Sequence, residues 1–223
     1  MCSIIGYSGS EIAAPIIVKG LKRMEYRGYD SVGVATESEN QIELKKGTGK
    51  VTEVNSKFQL DTLPGRIGIG HTRWATHGKV TDLNAHPHPS NSGKIAIVHN
   101  GIIENFEELK KQLEDDGYSF KSETDSEIIA NLLQKNYEST KNVKDTIMKT
   151  VSAIKGHYAF VAMFENGQLA AARFHEPLII GVGQENIFLS SDVLGFIEYT
   201  DNAIYMKSGN FVILENKEFE ILD

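Results

Sequence analysis

Cys2 is the single cysteine of this 223-residue chain, and it stands directly behind the initiator methionine. Its side chain is small enough for Met1 to be removed, which would leave a thiol and a free α-amine on one N-terminal residue. A thiol has an ordinary pKa near ~8.5 and an α-amine near ~7.7–8.0, so the amine is a base poised close to neutral pH. Nucleophilic catalysis needs a base beside its nucleophile, and here no histidine has to be recruited for the task. The densest polar cluster, "GHTRWATHG" at 70–78, supplies binding groups. Arg73 is a planar cation suited to gripping a carboxylate through two parallel hydrogen bonds. Trp74 offers a flat wall, Thr76 a hydroxyl and His77 an imidazole, between Gly70 and Gly78 as potential hinges.

A second cluster, "VHNGIIEN" at 98–105, carries an Asn-Gly pair. Such pairs usually form turns because both residues tolerate positive φ. This one leads from a strand into a helix, so the Asn100 amide and the Gly101 backbone N–H can point at one spot. Two such donors make an oxyanion hole, in which each typically contributes about 3–4 kcal/mol to lowering the barrier. A third cluster, "SETDSE" at 122–127, holds Glu123, Asp125 and Glu127 near a helix start. Acidic residues there suit the helix dipole, and one of the three could also hold a substrate ammonium. With Arg73 it would read the two charged ends of an α-amino acid.

Other polar groupings carry less. His86 and His88 in "NAHPHPS" invite a metal reading, but there is no H-E-x-x-H and no cysteine pair, so a metal site is not expected. Pro87 and Pro89 stiffen that loop. "GTGK" at 47–50 lacks the full phosphate-loop pattern.

The elements that must position these residues follow from periodicity. "CSIIGYS" reads as a buried strand beginning at Cys2. Residues 11–24 show helical spacing, and strands are expected at 31–36 and 41–46 around the polar turn "ESEN". "RIGIGHTR" delivers His71, Thr72 and Arg73 to its end, and "KIAIVHN" delivers His99 and Asn100. The stretch 74–93 between them should be a long irregular loop, of the kind that often carries function. Helices follow: "NFEELKKQLEDDG" with Asn105 as N-cap and Gly117 as stop, "SETDSEIIANLLQKNY" capped near Ser122 or Thr124, and a third over 142–153. From 157 onward the pattern is mostly strand, in "HYAFVAMFE", "QLAAAR", "LIIGVG", "NIFLSS", "AIYMK" and "FVILE", with turns at "ENGQ" and near Gly209 and a short helix near 192–197. Strands flanking a helical middle predict an α+β sandwich.

Composition limits the function classes. The formal charge of −7 argues against nucleic acid or anionic membrane as main partner. The hydrophobic share is 40% and the longest apolar runs, "APIIV" and "YAFVAMF", fall far short of the ~18 residues of a membrane span. A lone cysteine rules out an intrachain disulfide and fits a reducing compartment. With no basic-then-apolar leader, the expected location is the cytoplasm.

Six motifs, in order, carry a resemblance over nearly the whole chain: "MCSIIGYSG", "GLKRMEYRGYDSVGVA", "GIGHTRWATHG", "NAHPHPS", "VHNGIIENFEEL" and "SETDSEIIA". Together they resemble the glutaminase domain of the glutamine–fructose-6-phosphate aminotransferases, class II glutamine amidotransferases of the N-terminal-nucleophile hydrolase fold. "EYRGYDS" and "HTRWATHG" look like this family rather than the phosphoribosyl-pyrophosphate amidotransferases or asparagine synthetases. The resemblance implies a four-layer αββα sandwich of two stacked, mainly antiparallel sheets, with residues 1–223 as one domain. It implies that Cys2 attacks the side-chain amide of L-glutamine, with its α-amine as base and acid, by way of a γ-glutamyl thioester. Asn100 and Gly101 would stabilise the oxyanion, Arg73 would take the α-carboxylate and Asp125 the α-ammonium. Trp74, Thr76 and His77 would belong to a loop closing over glutamine, His86 would support the site, and Arg27 would brace the N-terminal residue. No cofactor or metal is implied. The partner would be C-terminal sugar-isomerase domains that bind fructose 6-phosphate and lie outside this chain, in a homo-oligomeric full enzyme. A domain excised from that enzyme or a stand-alone subunit would both end near "FEILD".

One residue departs from the family pattern: Ser3 stands where glycine usually follows the nucleophile. Glycine leaves room for substrate, so Ser3 is either tolerated or crowds the pocket. Two rival functions stay open: an amidohydrolase of the same fold acting on another amide, and a non-catalytic module that binds glutamine and signals to a partner.

Overall fold

A computed structural model describes residues 2–74, 78–215 and 218–223. Strand β1 (Ser3–Gly9) begins immediately after Cys2, followed by α1 (Ala13–Arg23) and a 3₁₀ turn, Glu25–Arg27. A hairpin of β2 (Ser31–Ser38) and β3 (Gln41–Thr48) comes next, then α2 (Val51–Phe58) and β4 (Ile67–Arg73). After the loop come a two-residue strand β5 (His88–Pro89), β6 (Ile95–Ile103), and helices α3 (Phe106–Asp115), α4 (Ser126–Thr140) and α5 (Val143–Ala153). The C-terminal part is strand: β7 (Gly156–Phe164), β8 (Leu169–Phe174), β9 (Ile179–Val182), β10 (Asn186–Ser190), β11 (Ala203–Tyr205), β12 (Phe211–Glu215) and β13 (Glu218–Leu222).

These strands form a seven-stranded sheet of order β11-β9-β10-β1-β4-β2-β3 and a six-stranded sheet of order β13-β12-β8-β7-β6-β5. Every recorded pairing is antiparallel. Three apolar layers hold the stack together. Ile4, Ile69, Val98 and Val161 belong to the layer between the sheets. Ile17 and Leu21 of α1 cover the outer face of the first sheet with Ile5, Tyr7 and Val34. Leu109, Ile129, Leu133 and Ile147 of the three later helices cover the second sheet over Ile97, Phe160 and Phe164. This is the expected α+β sandwich of four layers. The central strands are apolar on both faces because both faces are covered. Among the described residues, no helix is long and apolar enough to cross a membrane.

Several local expectations are met for identifiable reasons. Glu39 and Asn40 both take positive φ, +55° and +58°, joining β2 to β3 in the two-residue turn that suits strand twist. At the end of α3, Gly117 takes φ +91° while Tyr118 N–H donates to the Leu113 carbonyl and Gly117 N–H to that of Glu114. That pairing is the Schellman stop.

Others need correction. The N-cap of α4 is Asp125, not Ser122 or Thr124, and its carboxylate does not cap the helix. Asn105 stands at the N-cap of α3, but its amide is used elsewhere, bridging the Ala153 carbonyl and the Lys155 N–H. The helix α2 and strand β13 were not expected. Helix α2 buries only Val51 and Val54, too few apolar positions to show a period. Strand β13 alternates charged and apolar residues at the chain end and pairs with β12.

Candidate active site

Cys2, Arg73, Asn100 and Asp125 come from four separate segments, and the two sheets bring those segments to one end of the sandwich. Ser3 pairs with Thr72 and Ile4 with His71, so β1 and β4 place Cys2 beside Arg73 and Trp74. The Trp74 N–H donates to Cys2 Sγ at 3.2 Å. Burial raises the Cys2 thiol above its ordinary value, against the lowering effect of that N–H. The Cys2 carbonyl is gripped twice. Arg27 Nε donates to it at 3.4 Å and Asn100 Nδ2 at 3.2 Å. Arg27 is fixed in turn by Asp192, whose Oδ2 lies 3.0 Å from Arg27 Nη1 and accepts from the Tyr26 hydroxyl at 2.8 Å.

Asn100 and Gly101 lie on β6, not in a turn after it, for β6 runs on to Ile103 against β7. Gly101 has φ +116°, and a Cβ there would lie 1.9 Å from the His157 carbonyl oxygen. Only glycine can hold this conformation in this register. Two residues on, the Ile103 N–H donates to Asp125 Oδ2 at 2.7 Å, and Ser126 Oγ lies 3.4 Å from the other carboxylate oxygen. Asp125 is therefore aimed by β6, which explains why it does not cap α4. Glu123 and Glu127 are engaged elsewhere. Glu123 accepts from Asn84 Nδ2 and the Lys79 N–H, and buried Glu127 accepts from the N–H groups of Lys121 and Ser122.

Arg73 is 6% exposed and donates from Nη1 to the Lys79 carbonyl at 3.2 Å. Burial lowers its pKa while Cys2, Asp30 and Asp125 oppose the shift, which places the Asp125 carboxylate within its electrostatic reach. Trp74 is 42% exposed with its ring edge-on to Tyr29. Thr76 and His77 lie outside the described residues.

His86 is buried behind Asn100, against His71 and His99. Its ring stacks on His71 with centroids 4.2 Å apart, and its Nδ1 accepts from the His99 N–H at 3.2 Å. The loop carrying it approaches β2 so closely that a Cβ on Gly33 would meet the His86 carbonyl oxygen at 2.2 Å. Lys46 ties down the same loop, donating to the carbonyls of Ala85 at 2.5 Å and Pro87 at 3.1 Å. Burial lowers its pKa to about 8. Among the described residues, no group of acidic, histidine or cysteine side chains is arranged to hold a metal.

Ser3 does not face the polar end. It shares the outer face of β1 with Thr72, opposite Ile4 and His71. It is fully buried and donates from Oγ to the Met24 carbonyl at 3.1 Å. The side chain that replaces glycine here thus fills space under α1 rather than space beside the thiol.

Four histidines, His71, His86, His88 and His99, are buried, and burial is the main cause lowering all four pKa values, that of His71 to about 3. Below the ordinary value near 6.5 the unfolded chain takes up protons that the folded state refuses. Stability is therefore fully present above pH 6.5 and falls as pH drops toward 3. Each neutral histidine accounts for up to about 1.4 kcal/mol per pH unit. Urea unfolding at pH 5.5 is expected to show roughly 4–6 kcal/mol less stability than at pH 7.5 if all four stay neutral. Equal midpoints would mean that the cluster accepts protons while folded.

Sequence reasoning missed Asp192 and Lys46, which hold site elements without contacting the thiol. Asp192 is 165 residues from Arg27, and nothing local in the sequence connects them.

Known proteins resemble the chain in both sequence and shape. A family model described as "Glutamine amidotransferase domain" matches residues 71–197, more than half of the chain. The glutamine–fructose-6-phosphate aminotransferase (isomerizing) of Pyrococcus horikoshii is 48% identical, over all of this chain and 38% of its own length. The protein of the same name from Thermococcus kodakarensis is 42% identical over 99% of this chain and 37% of its own. The chain thus spans less than two fifths of the length of these relatives. Among solved structures, glutamine phosphoribosylpyrophosphate amidotransferase from B. subtilis superposes with a TM-score of 0.86 at 29% identity, covering 99% of this chain and 49% of that one. With a sandwich of this shape, a cysteine at the head of its central strand and a family match over most of the segment from β4 to the turn after β10, the chain belongs to the glutamine amidotransferase domain family.

Proposed function

We propose that the chain hydrolyses L-glutamine to glutamate and ammonia, with Cys2 as nucleophile. The observation that carries this reading is the convergence of Cys2 and Asn100 at one end of the sandwich with the oppositely charged Arg73 and Asp125. Burial keeps the thiol protonated near neutrality, so it needs a base at hand. While Met1 is attached, the Cys2 nitrogen is an amide and cannot serve. Removal of Met1 converts it to an amine that takes the thiol proton as sulfur attacks the glutamine side-chain carbonyl. Asn100 Nδ2 keeps one N–H beyond its bond to the Cys2 carbonyl, and this donor, with the Gly101 N–H, meets the charge that develops on oxygen. The protonated amine then hands its proton to the departing ammonia. Water cleaves the γ-glutamyl thioester and regenerates Cys2.

Arg73 and Asp125 hold the two charged ends of the amino acid, which favours glutamine over a generic amide. Trp74, with Thr76 and His77, covers the bound substrate. Residues 1–223 make up one amidotransferase domain of a cytoplasmic, homo-oligomeric enzyme. The remainder of that enzyme, sugar-isomerase domains, uses the ammonia to convert fructose 6-phosphate to glucosamine 6-phosphate. The length and names of the relatives support this larger role.

The test is glutamate and ammonia release by the Met1-free chain, alone and with Asp125→Asn. A charge-assisted contact of about 1.5–3 kcal/mol corresponds to a KM for glutamine raised roughly 10- to 100-fold. The expected change in kcat is under about threefold, since the ammonium keeps its charge through the reaction. An unchanged KM would remove Asp125 from the substrate site. No release from glutamine by the unsubstituted chain would overturn the function itself.

A further inference from the structure

Buried behind Asn100 is a side chain that the mechanism above does not use. His71 is 1% exposed, and its Nε2 lies 3.0 Å from both the His99 carbonyl oxygen and Asn100 Oδ1. Both neighbours accept hydrogen bonds, so Nε2 carries the proton and donates to both. The orientation of the Asn100 amide follows independently, because its nitrogen faces the Cys2 carbonyl, which can only accept. Rotating that amide by half a turn would set oxygen against the Cys2 carbonyl and N–H against the His71 N–H. Two repulsive contacts would replace two hydrogen bonds.

The His71 ring cannot easily turn over to offer its other nitrogen. It is stacked on His86, and Nδ1 is buried without a hydrogen-bond partner. A fully partnered nitrogen on one side and an orphan on the other define a single productive tautomer.

We propose that His71 is a positioning residue for the reaction: as the neutral Nε2–H tautomer it locks the Asn100 amide with its nitrogen toward Cys2 and the developing oxyanion. The inference rests on the glutaminase reading above. His71 touches neither the thiol nor the amino-acid clamp of Arg73 and Asp125. Its contribution belongs to the transition state, where the aimed N–H is used, and not to substrate affinity. Burial holds the ring neutral across the working pH range, with a pKa of about 3.

The experiment pairs kinetics with a measurement on the unsubstituted protein. His71→Phe keeps a flat ring and removes the donor, while His71→Gln can place an amide N–H near the position of Nε2. His71→Phe is expected to lower kcat roughly 10- to 100-fold with KM for glutamine within about threefold, and His71→Gln to recover most of that loss. In an Asn100→Ala background, His71→Phe should cause no further loss, because the group it aims is gone. An equal loss in both backgrounds, or a normal kcat in His71→Phe, would overturn the proposal. If His71→Phe does not fold, ¹⁵N shifts of the histidine rings decide the matter in the unsubstituted chain. A neutral Nε2–H signal for His71 at pH 7 is expected, and an Nδ1–H tautomer or an imidazolium would refute it. That readout needs no turnover, so a chain without glutaminase activity would fail the functional reading and still report on His71.

Discussion

Cys2→Ala is expected to leave a folded protein that releases no glutamate or ammonia from glutamine above background. Losing a nucleophile whose partners act as a unit typically lowers turnover by about 10⁴- to 10⁶-fold. The structure explains why the fold should survive. Cys2 precedes β1 and takes no part in its ladder. Cys2 is only partly buried, and the recorded hydrogen bonds of its sulfur are both to the Trp74 backbone, accepting from the N–H at 3.2 Å and donating to the carbonyl at 3.6 Å. The backbone carbonyl that Arg27 and Asn100 grip is still present in alanine. The melting temperature should therefore stay within a few degrees, while glutamine still binds through Arg73 and Asp125. Alanine at position 2 is also small enough for Met1 to be removed, so the variant and the unsubstituted chain are compared in the same processed form. Ammonia release that persisted in Cys2→Ala would transfer the chemistry to another residue.

Gly101→Ala is expected to be the most disruptive single methyl group in the site. The added Cβ would lie 1.9 Å from the His157 carbonyl oxygen at a φ of +116°. The backbone conformation alone costs about 1–3 kcal/mol for a residue with a side chain. The overlap must also be relieved by parting β6 from β7 at the Gly101–Tyr158 pair. A loss of stability of about 3 kcal/mol or more should appear in urea unfolding. Parting the strands also turns the residue-101 N–H away from Cys2. Activity should therefore be lost even at low temperature, where the variant is folded. A variant within about 1 kcal/mol of the parent and with normal kcat would show that β6 has room that its geometry does not reveal.

The residues proposed to bear the chemistry could be picked out in the sequence because each sits in a short motif of unusual composition. Cys2 is marked by position, Arg73 and Trp74 by a dense polar run, and Asn100-Gly101 by a turn dipeptide at the end of an apolar strand. The structure adds a reason for the glycine of that dipeptide. Gly101 is needed because β7 passes close by, not because the chain turns there. Residue types alone offered three carboxylates in "SETDSE", and the resemblance singled out Asp125. The geometry separates them, since only Asp125 is held by β6. What could not be read were contacts between distant segments. His71 meets Asn100 across the two sheets, and Asp192 meets Arg27 from the turn after β10. Their partners are 29 and 165 residues away. The expectation for Ser3 stayed open because crowding depends on which face of β1 the side chain takes, and one residue of register decides it.

The double grip on the Cys2 carbonyl ties the site's accuracy to the thickness of the protein. Asn100 reaches that oxygen from the second sheet, whereas Arg27 reaches it from the 3₁₀ turn after α1, anchored by Asp192 in the turn after β10. The proposed nucleophile is thus located by triangulation across a spacing of about 10 Å that is set largely by apolar side chains. Catalytic groups tolerate displacements of about 0.5 Å, less than the length of one methylene. Ile69, Val98 and Val161 therefore act as spacers as well as core, and a mutation that the fold absorbs with ease can still put the instrument out of calibration.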